Sequence, residues 1–192
     1  MNTKIKKYLE ELKTNLLVKK HNSEFLSIET YDCYLNNGKI ITREKLLKNN
    51  KDGSAVIIYP VTPDNKIILA IEPRVFTKET IGISLPAGYI EKDEYPYDAA
   101  KRELQEETGY VSNDLVYLGS FYQDEGVSSA YNYYFLARNC EKVSDQKLDK
   151  DEFIRYVLVT EKELQELLNE GYITGINSAY AIEKVKNFQK RR

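Results

Sequence analysis

The stretch Gly88–Tyr110 reads GYIEKDEYPYDAAKRELQEETGY, and its interpretation decides the fold of the 192-residue chain. Pro96 suits the first turn of a helix, where its missing N–H leaves no hydrogen bond unmade. Ala99, Ala100, Arg102, Leu104 and Gln105 tolerate helix, and Gly109 supplies a C-terminal stop. The spacing therefore predicts a helix over 96–108. On it Glu103, Glu106 and Glu107 stand at i, i+3 and i+4 and project from one face. Ala99, one turn below Glu103, is expected to leave room beside that face for something to approach.

Like charges this close repel. Solvated, each pair costs a few tenths of a kcal/mol. Partly buried, at about 4 Å and an effective dielectric of about 20, a pair costs roughly 4 kcal/mol. The face is either a solvated helix surface or a cage for a cation, which turns the repulsion into attraction. Oxygen ligands without Cys or His point to Mg²⁺, Mn²⁺ or Ca²⁺ rather than zinc.

The spacing separates these readings. Gly88, five residues, Glu94, seven residues, Arg102-Glu103-Leu104, one residue, Glu106-Glu107, one residue, Gly109 and Tyr110: this resembles the Nudix hydrolase signature at every charged and glycine position. Only Tyr110 departs, where the family more often carries an aliphatic residue. Leu85-Pro86-Ala87-Gly88 is similar to the lead-in of the ADP-ribose pyrophosphatase and nucleotide-sugar diphosphatase branch. Arg74, twelve residues before Pro86, stands where that branch places an arginine near the substrate phosphates. The run DKDEFI at 149–154 resembles the acidic loop that delivers a further glutamate. Gly171-Tyr172-Ile173 and the closing helix resemble the family's C-terminal element.

The resemblance implies an α/β fold, a Nudix-type α/β/α sandwich with a mixed central sheet. It implies a metal-dependent hydrolase in which water attacks phosphorus. The substrate would be a nucleoside diphosphate linked to another group, ADP-ribose or a related nucleotide sugar, cleaved to a nucleoside monophosphate and a phosphorylated product. The implied cofactor is Mg²⁺, with Mn²⁺ as a substitute. By similarity Glu103 and Glu107 are metal ligands, and Glu106 is a ligand or an acceptor from the metal's waters. The Ala87 carbonyl completes the coordination, because Gly88 lets the backbone come close. Arg102 is expected to hold a glutamate in its ligating rotamer by a charge-assisted hydrogen bond. Glu152 is the expected general base. Arg74 and Gly88 are the expected substrate-binding positions, while Glu94 braces the loop and Gly109 ends the helix.

Two departures widen the substrate class. Ser84 stands where many members of the branch carry glutamate, and Asp124-Glu125-Gly126 stands where Ser-Pro-Gly is common. Nucleotide sugars, dinucleotides and coenzyme-like diphosphates stay open. The alternative is a Nudix-fold nucleotide-binding sensor or regulator without turnover. Such proteins typically lose box glutamates or append a DNA-binding module, whereas this box is intact.

Outward from the box, Ile5, Tyr8, Leu9, Leu12, Leu16 and Leu17 predict an amphipathic helix over 3–20. Residues 24–36 and 39–47 read as strands joined at Asn36-Asn37-Gly38. Residues 1–50 are thus a helix and a small antiparallel sheet, too small to fold alone. In the resembling branch such an element dimerises and helps bind the base, so a homodimer is expected, with residues 51–192 as the hydrolase domain. AVIIY at 55–59 suits a strand buried on both faces. Thr62–Asn65 turns the chain, and 66–71 is expected to pair back as a hairpin. Further strands are predicted at 115–123, 131–137 and 153–159, and helices at 161–169 and 178–189.

Composition agrees. Hydrophobic residues at 42% and charged residues at 30% are ordinary for a soluble domain. A net charge of −2 argues against a nucleic-acid-binding face, and Lys4, Lys6, Lys7 and Lys190-Arg191-Arg192 read as solvated ends. The single histidine, His21, follows Lys19-Lys20, which argues against His-dependent triads. Cys33 and Cys140 lack metal-ligand spacing and are expected as buried, reduced thiols. No apolar run approaches the roughly 20 residues of a membrane span, and no apolar segment of signal-peptide type follows the first charges. A cytoplasmic protein with no membrane partner is expected.

Overall fold

Strand β3 (Ala55–Pro60) sits at the centre because both its edges and both its faces are used. The computed structural model, which describes residues 2–13 and 25–190, pairs it antiparallel with β6 (Ala87–Tyr89) and parallel with β9 (Tyr131–Arg138). Strand β8 (Asp114–Tyr122) adds antiparallel to the far side of β9. Val56 and Ile58 pack with Ala99, Ala100 and Leu104 of helix α2 (Pro96–Thr108). Ile57 and Tyr59 point the other way, into a cluster with Ile182 and Val185 of α4 (Ile176–Gln189). Two-sided burial is why AVIIY shows no polar alternation.

A second sheet runs β11 (Arg155–Val159), β4 (Ile67–Pro73), β5 (Ile81–Ser84), all antiparallel. It feeds the same two cores: Ile68 joins the α2 side, while Ile67, Leu69 and Ile71 join the other. Helix α1 (Thr3–Leu12) enters that second core through Ile5, with Tyr8, Leu9 and Leu12 packed around it. Helix α3 (Glu161–Asn169) adds Leu164 and Leu167, and its start is fixed by reciprocal hydrogen bonds between Thr160 and Glu163. Helices thus cover both sides of a mixed strand layer, the α/β/α sandwich expected.

The hairpin expected between 55–59 and 66–71 does not form. The turn is present, with Asn65 at φ 58° and Thr62 Oγ1 binding Asp64. Contact stops at the Val61–Ile67 bridge, and β4 leaves for the other sheet. β3 has no edge to offer it, since β6 and β9 hold both.

The N-terminal hairpin does form. β1 (Leu26–Tyr34) and β2 (Ile40–Lys48) pair from Leu26–Lys48 to Tyr34–Ile40 around Gly38, at φ 79°. Strands β5 and β6, with β7 (Tyr110–Val111) and β10 (Glu141–Lys142), were not predicted; they are too short to show alternation. Leu16, Leu17, His21, Arg191 and Arg192 lie outside the described residues. Cys140 is buried as expected, but Cys33 is only half-buried, on the open ribbon. No described helix is long and apolar enough to cross a membrane.

Candidate active site

Helix α2 and the loop after β6 are locked together by one guanidinium. Arg102 Nε and Nη2 grip both oxygens of Glu94, at 2.8 and 2.9 Å. Nη2 also donates to the Tyr89 carbonyl (3.0 Å), and Nη1 to Glu103 (2.6 Å) and Glu106 (2.9 Å). Glu94 accepts the Glu91 N–H as well, and the Arg102 bonds hold its carboxyl below the usual range. Glu94 therefore braces the loop, and Arg102 orients two box glutamates at once.

Glu103 and Glu107 lie on the buried side of the helix, 8% and 5% exposed. Burial raises Glu103 to about 7 despite the pull of Arg102, and it holds Glu107 well above the usual carboxylate range, where the charges of Glu72 and Glu103 add to it. Glu107 accepts the Ala87 N–H at 3.2 Å. Gly88 explains how strand and helix come so close. A Cβ there would sit 2.0 Å from Glu103 Cδ, so no other residue leaves room for the carboxylate. Ala99 serves a different end from the one expected. It is fully buried against Val56 and Ile58, so its small size admits the sheet rather than a ligand.

Gly109 ends the helix at φ 74°, its N–H bonded to Gln105 O. A Cβ there would lie 2.1 Å from Ser144 O. Its carbonyl binds the N–H groups of Val143 and Ser144, while Lys142 Nζ reaches Thr108 O and Gln146 Nε2 reaches Glu107 O. The acidic loop is thereby laid across the end of α2. Tyr110, the one loose position of the box, packs edge-on to Tyr156 at 5.8 Å, with the Lys142 ammonium 4.5 Å from the Tyr156 ring.

Glu152 is exposed, and its carboxylate accepts the Asp149 N–H at 3.1 Å. It touches no box residue, yet its charge reaches Glu72, Glu103 and Glu107. Arg74 Nη2 pairs with Glu72 at 2.5 Å, and its stem occupies the space a Cβ on Gly82 would take. Ser84 Oγ lies 3.4 Å from the same Glu72 oxygen. Glu72 is the group that sequence reasoning missed. It is a mostly buried carboxylate, raised by burial, whose charge acts on Glu107. Its one signal was a charge closing the apolar run IILAI. Among the described residues, these carboxylates do not converge into a ready-made ligand set of three.

The NUDIX domain model matches residues 51–175. This chain is a Nudix hydrolase. The Nudix match contains the whole loop-helix unit built around Arg102. The chain is 33% identical over 163 residues to the ADP-ribose pyrophosphatase of Bacillus subtilis, covering 84% of this chain and 85% of that one. It is 29% identical over 159 residues to the methanol dehydrogenase activator of Bacillus methanolicus, covering 82% and 83%. A crystal structure of an ADP compounds hydrolase superposes with a TM-score of 0.75 at 25% identity, covering 94% of this chain and 95% of the other.

Proposed function

We propose that this Nudix pyrophosphohydrolase cleaves a nucleoside diphosphate linked to another group, ADP-ribose or a related nucleotide sugar, releasing a nucleoside monophosphate and a phosphorylated product. The observation that carries the reading is the buried pair Glu103 and Glu107, packed against Gly88, with Arg102 the one cation bonded to the box glutamates among the described residues. Buried this deeply, the pair either holds protons or, once ionised, calls for a further cation. The match to an ADP-ribose pyrophosphatase over most of both chains supports the substrate class.

The donor set fits a hard divalent cation, Mg²⁺ with Mn²⁺ as substitute, held by Glu103, Glu106, Glu107 and the Ala87 carbonyl. All donors are oxygen, and the clearance at Gly88 lets the Glu103 carboxylate lie against the strand; the carboxylates would still have to draw together around the ion. Once bound, such a cation neutralises diphosphate charge and lowers the pKa of a coordinated water. The chain's residues supply the rest. Arg102 fixes the rotamers of Glu103 and Glu106. Arg74 swings from Glu72 to the substrate phosphates, and its 53% exposed side chain leaves it free to do so. Glu152 takes the proton of the attacking water from the loop laid across α2.

The name of the methanol dehydrogenase activator keeps a regulatory reading in view. One experiment tests both: product analysis by mass spectrometry on ADP-ribose, nucleotide sugars and dinucleotides, with Mg²⁺ and with EDTA. Metal-dependent release of a nucleoside monophosphate is the expected result. Nucleotide binding without turnover on the whole panel would overturn the hydrolase reading in favour of the regulator.

We also infer a homodimer assembled through residues 1–50, with 51–192 as the catalytic unit. The β1–β2 ribbon leaves Leu26, Ile28, Tyr31, Tyr34 and Ile40 exposed in a single chain, and a lone two-stranded ribbon is marginal in water. Sedimentation at micromolar concentration is expected to show a dimer; a monomer rejects the inference. Two free thiols agree with a cytoplasmic setting.

A further inference from the structure

Strand β2 ends at Lys48, and the Lys48 side chain does not run out into solvent. Its ammonium donates to Gln123 Oε1 at 2.5 Å and stands 5.6 Å from the centre of the Tyr89 ring. The stem passes where a Cβ on Gly53 would come, 2.7 Å from Lys48 Cδ, and Gly53 sits at φ 82°. Glycine at 53 is what lets the lysine turn inward. Gln123 is held in its turn. Its Nε2 faces Asn132 Oδ1 at 3.4 Å, and Asn132, 1% exposed, donates to Asn177 Oδ1 at 2.8 Å. Tyr134 OH donates to the same oxygen at 3.2 Å.

This chain of amides fixes a cation without neutralising it. Among the described residues no carboxylate lies within 4.0 Å of Lys48; the ion pairs all involve other residues. Burial alone pulls the Lys48 ammonium below its ordinary range. A partly desolvated cation whose hydrogen-bond partner is a neutral amide is best satisfied by an anion from outside.

The location says which anion. Tyr89 directly follows Gly88, and its carbonyl is tied to Arg102. The positive charge of Arg74 acts on the Tyr89 hydroxyl, and Phe25 packs on the Tyr89 ring at 6.2 Å with the planes 51° apart. Lys48 and the half-exposed Phe25 thus flank the half-exposed Tyr89 ring beside the Nudix loop, and the charge of Arg74 reaches the same tyrosine.

We propose that Lys48 is a substrate-recognition residue, contacting the phosphate that Arg74 does not hold, while Tyr89 and Phe25 give ring surface to the base or sugar attached to it. Gln123 and Asn132 are positioning residues that aim the ammonium. This rests on the pyrophosphohydrolase reading above.

The test uses the full chain and the variants Lys48→Met and Lys48→Arg. For each, kcat and KM are measured on ADP-ribose, and calorimetry follows the binding of ADP and of adenosine. Lys48→Met should raise KM and weaken ADP binding by about tenfold or more, leaving kcat within about twofold and adenosine binding unchanged. Lys48→Arg should restore most of the loss, and the gap between wild type and Lys48→Met should narrow at high salt. Unchanged KM and ADP affinity in Lys48→Met overturn the assignment, as does an equal loss of ADP and adenosine, which marks a structural role. If the wild type fails to turn over ADP-ribose, the hydrolase reading suffers, and the ADP titration still decides the role of Lys48.

Discussion

Glu103→Gln separates a metal site from an acidic surface, because the two demand opposite changes. Glutamine keeps the size and removes the charge. Glu103 rises from 4.5 to about 7 on folding, with burial the largest cause. At about 1.4 kcal/mol per pH unit, ionised Glu103 therefore costs the metal-free fold about 3 kcal/mol. The sign is fixed by the raised value. Stability is fully present below pH 4.5, where folded and unfolded chains are both protonated, and is lost as pH climbs towards 7. Urea unfolding in EDTA should show wild type weakening across that window and Glu103→Gln weakening less. At pH 8 the variant should exceed wild type by about 1–3 kcal/mol, the lower end allowing for the weakened contact with Arg102. Mg²⁺ should then stabilise wild type more than the variant, and turnover of the variant should fall at least about a hundredfold. Wild-type turnover in Glu103→Gln, or a metal-free stability that is flat from pH 5 to 8, would refute the reasoning.

Gly88→Ala places a methyl 2.0 Å from Glu103 Cδ, so turnover should drop by about a hundredfold or more while thermal melting changes modestly; melting and kinetics on the same sample check it. Gly109→Ala combines φ 74° with a 2.1 Å clash against Ser144 O, and urea unfolding should show a loss of at least about 2 kcal/mol. Arg102→Lys keeps the charge but loses the fork that serves Glu94, Glu103 and Glu106 together, so kcat should fall about tenfold or more in steady-state assays. Ile28→Glu, on the exposed ribbon beside Leu46, should shift sedimentation from the proposed dimer towards monomer without unfolding the rest of the chain.

Helix α2 was legible to the residue because its ends are written in backbone chemistry: Pro96 fits only a first turn, and Gly109 takes the left-handed conformation that stops the next. Helix α3 matches its predicted span of 161–169, and the structure adds the reason for its start, the reciprocal bonds of Thr160 and Glu163. The 55–71 hairpin failed where local rules stop. A good turn at 62–65 says that the chain reverses, but not that the returning strand finds a free edge. That depends on β9, more than 70 residues away, which takes the edge in parallel. The site divides similarly. Glu103 and Glu107 share one helix and announce themselves by spacing. Glu72 reaches them only because β4 carries it next to α2, a relation between distant segments. Lys48 needed the course of the ribbon, the clearance at Gly53 and the side-chain amide oxygen of Gln123 before its isolation from carboxylates meant anything.

The two glycines of the box show what such a motif encodes. Neither binds anything by itself. Gly88 clears the space in which Glu103 keeps its carboxylate against a strand, and Gly109 clears the space in which Ser144 brings the acidic loop over the helix end. Removing the first strikes the carboxylates directly, and removing the second strikes the fold that carries Glu152. A pattern of charges alone would fit many solvated helices. Charges interleaved with two clearances of about 2 Å fit only a helix pressed against a strand on one side and a loop on the other. That enclosure makes ionised glutamates repel in a buried space, and the proposed divalent cation would relieve that repulsion.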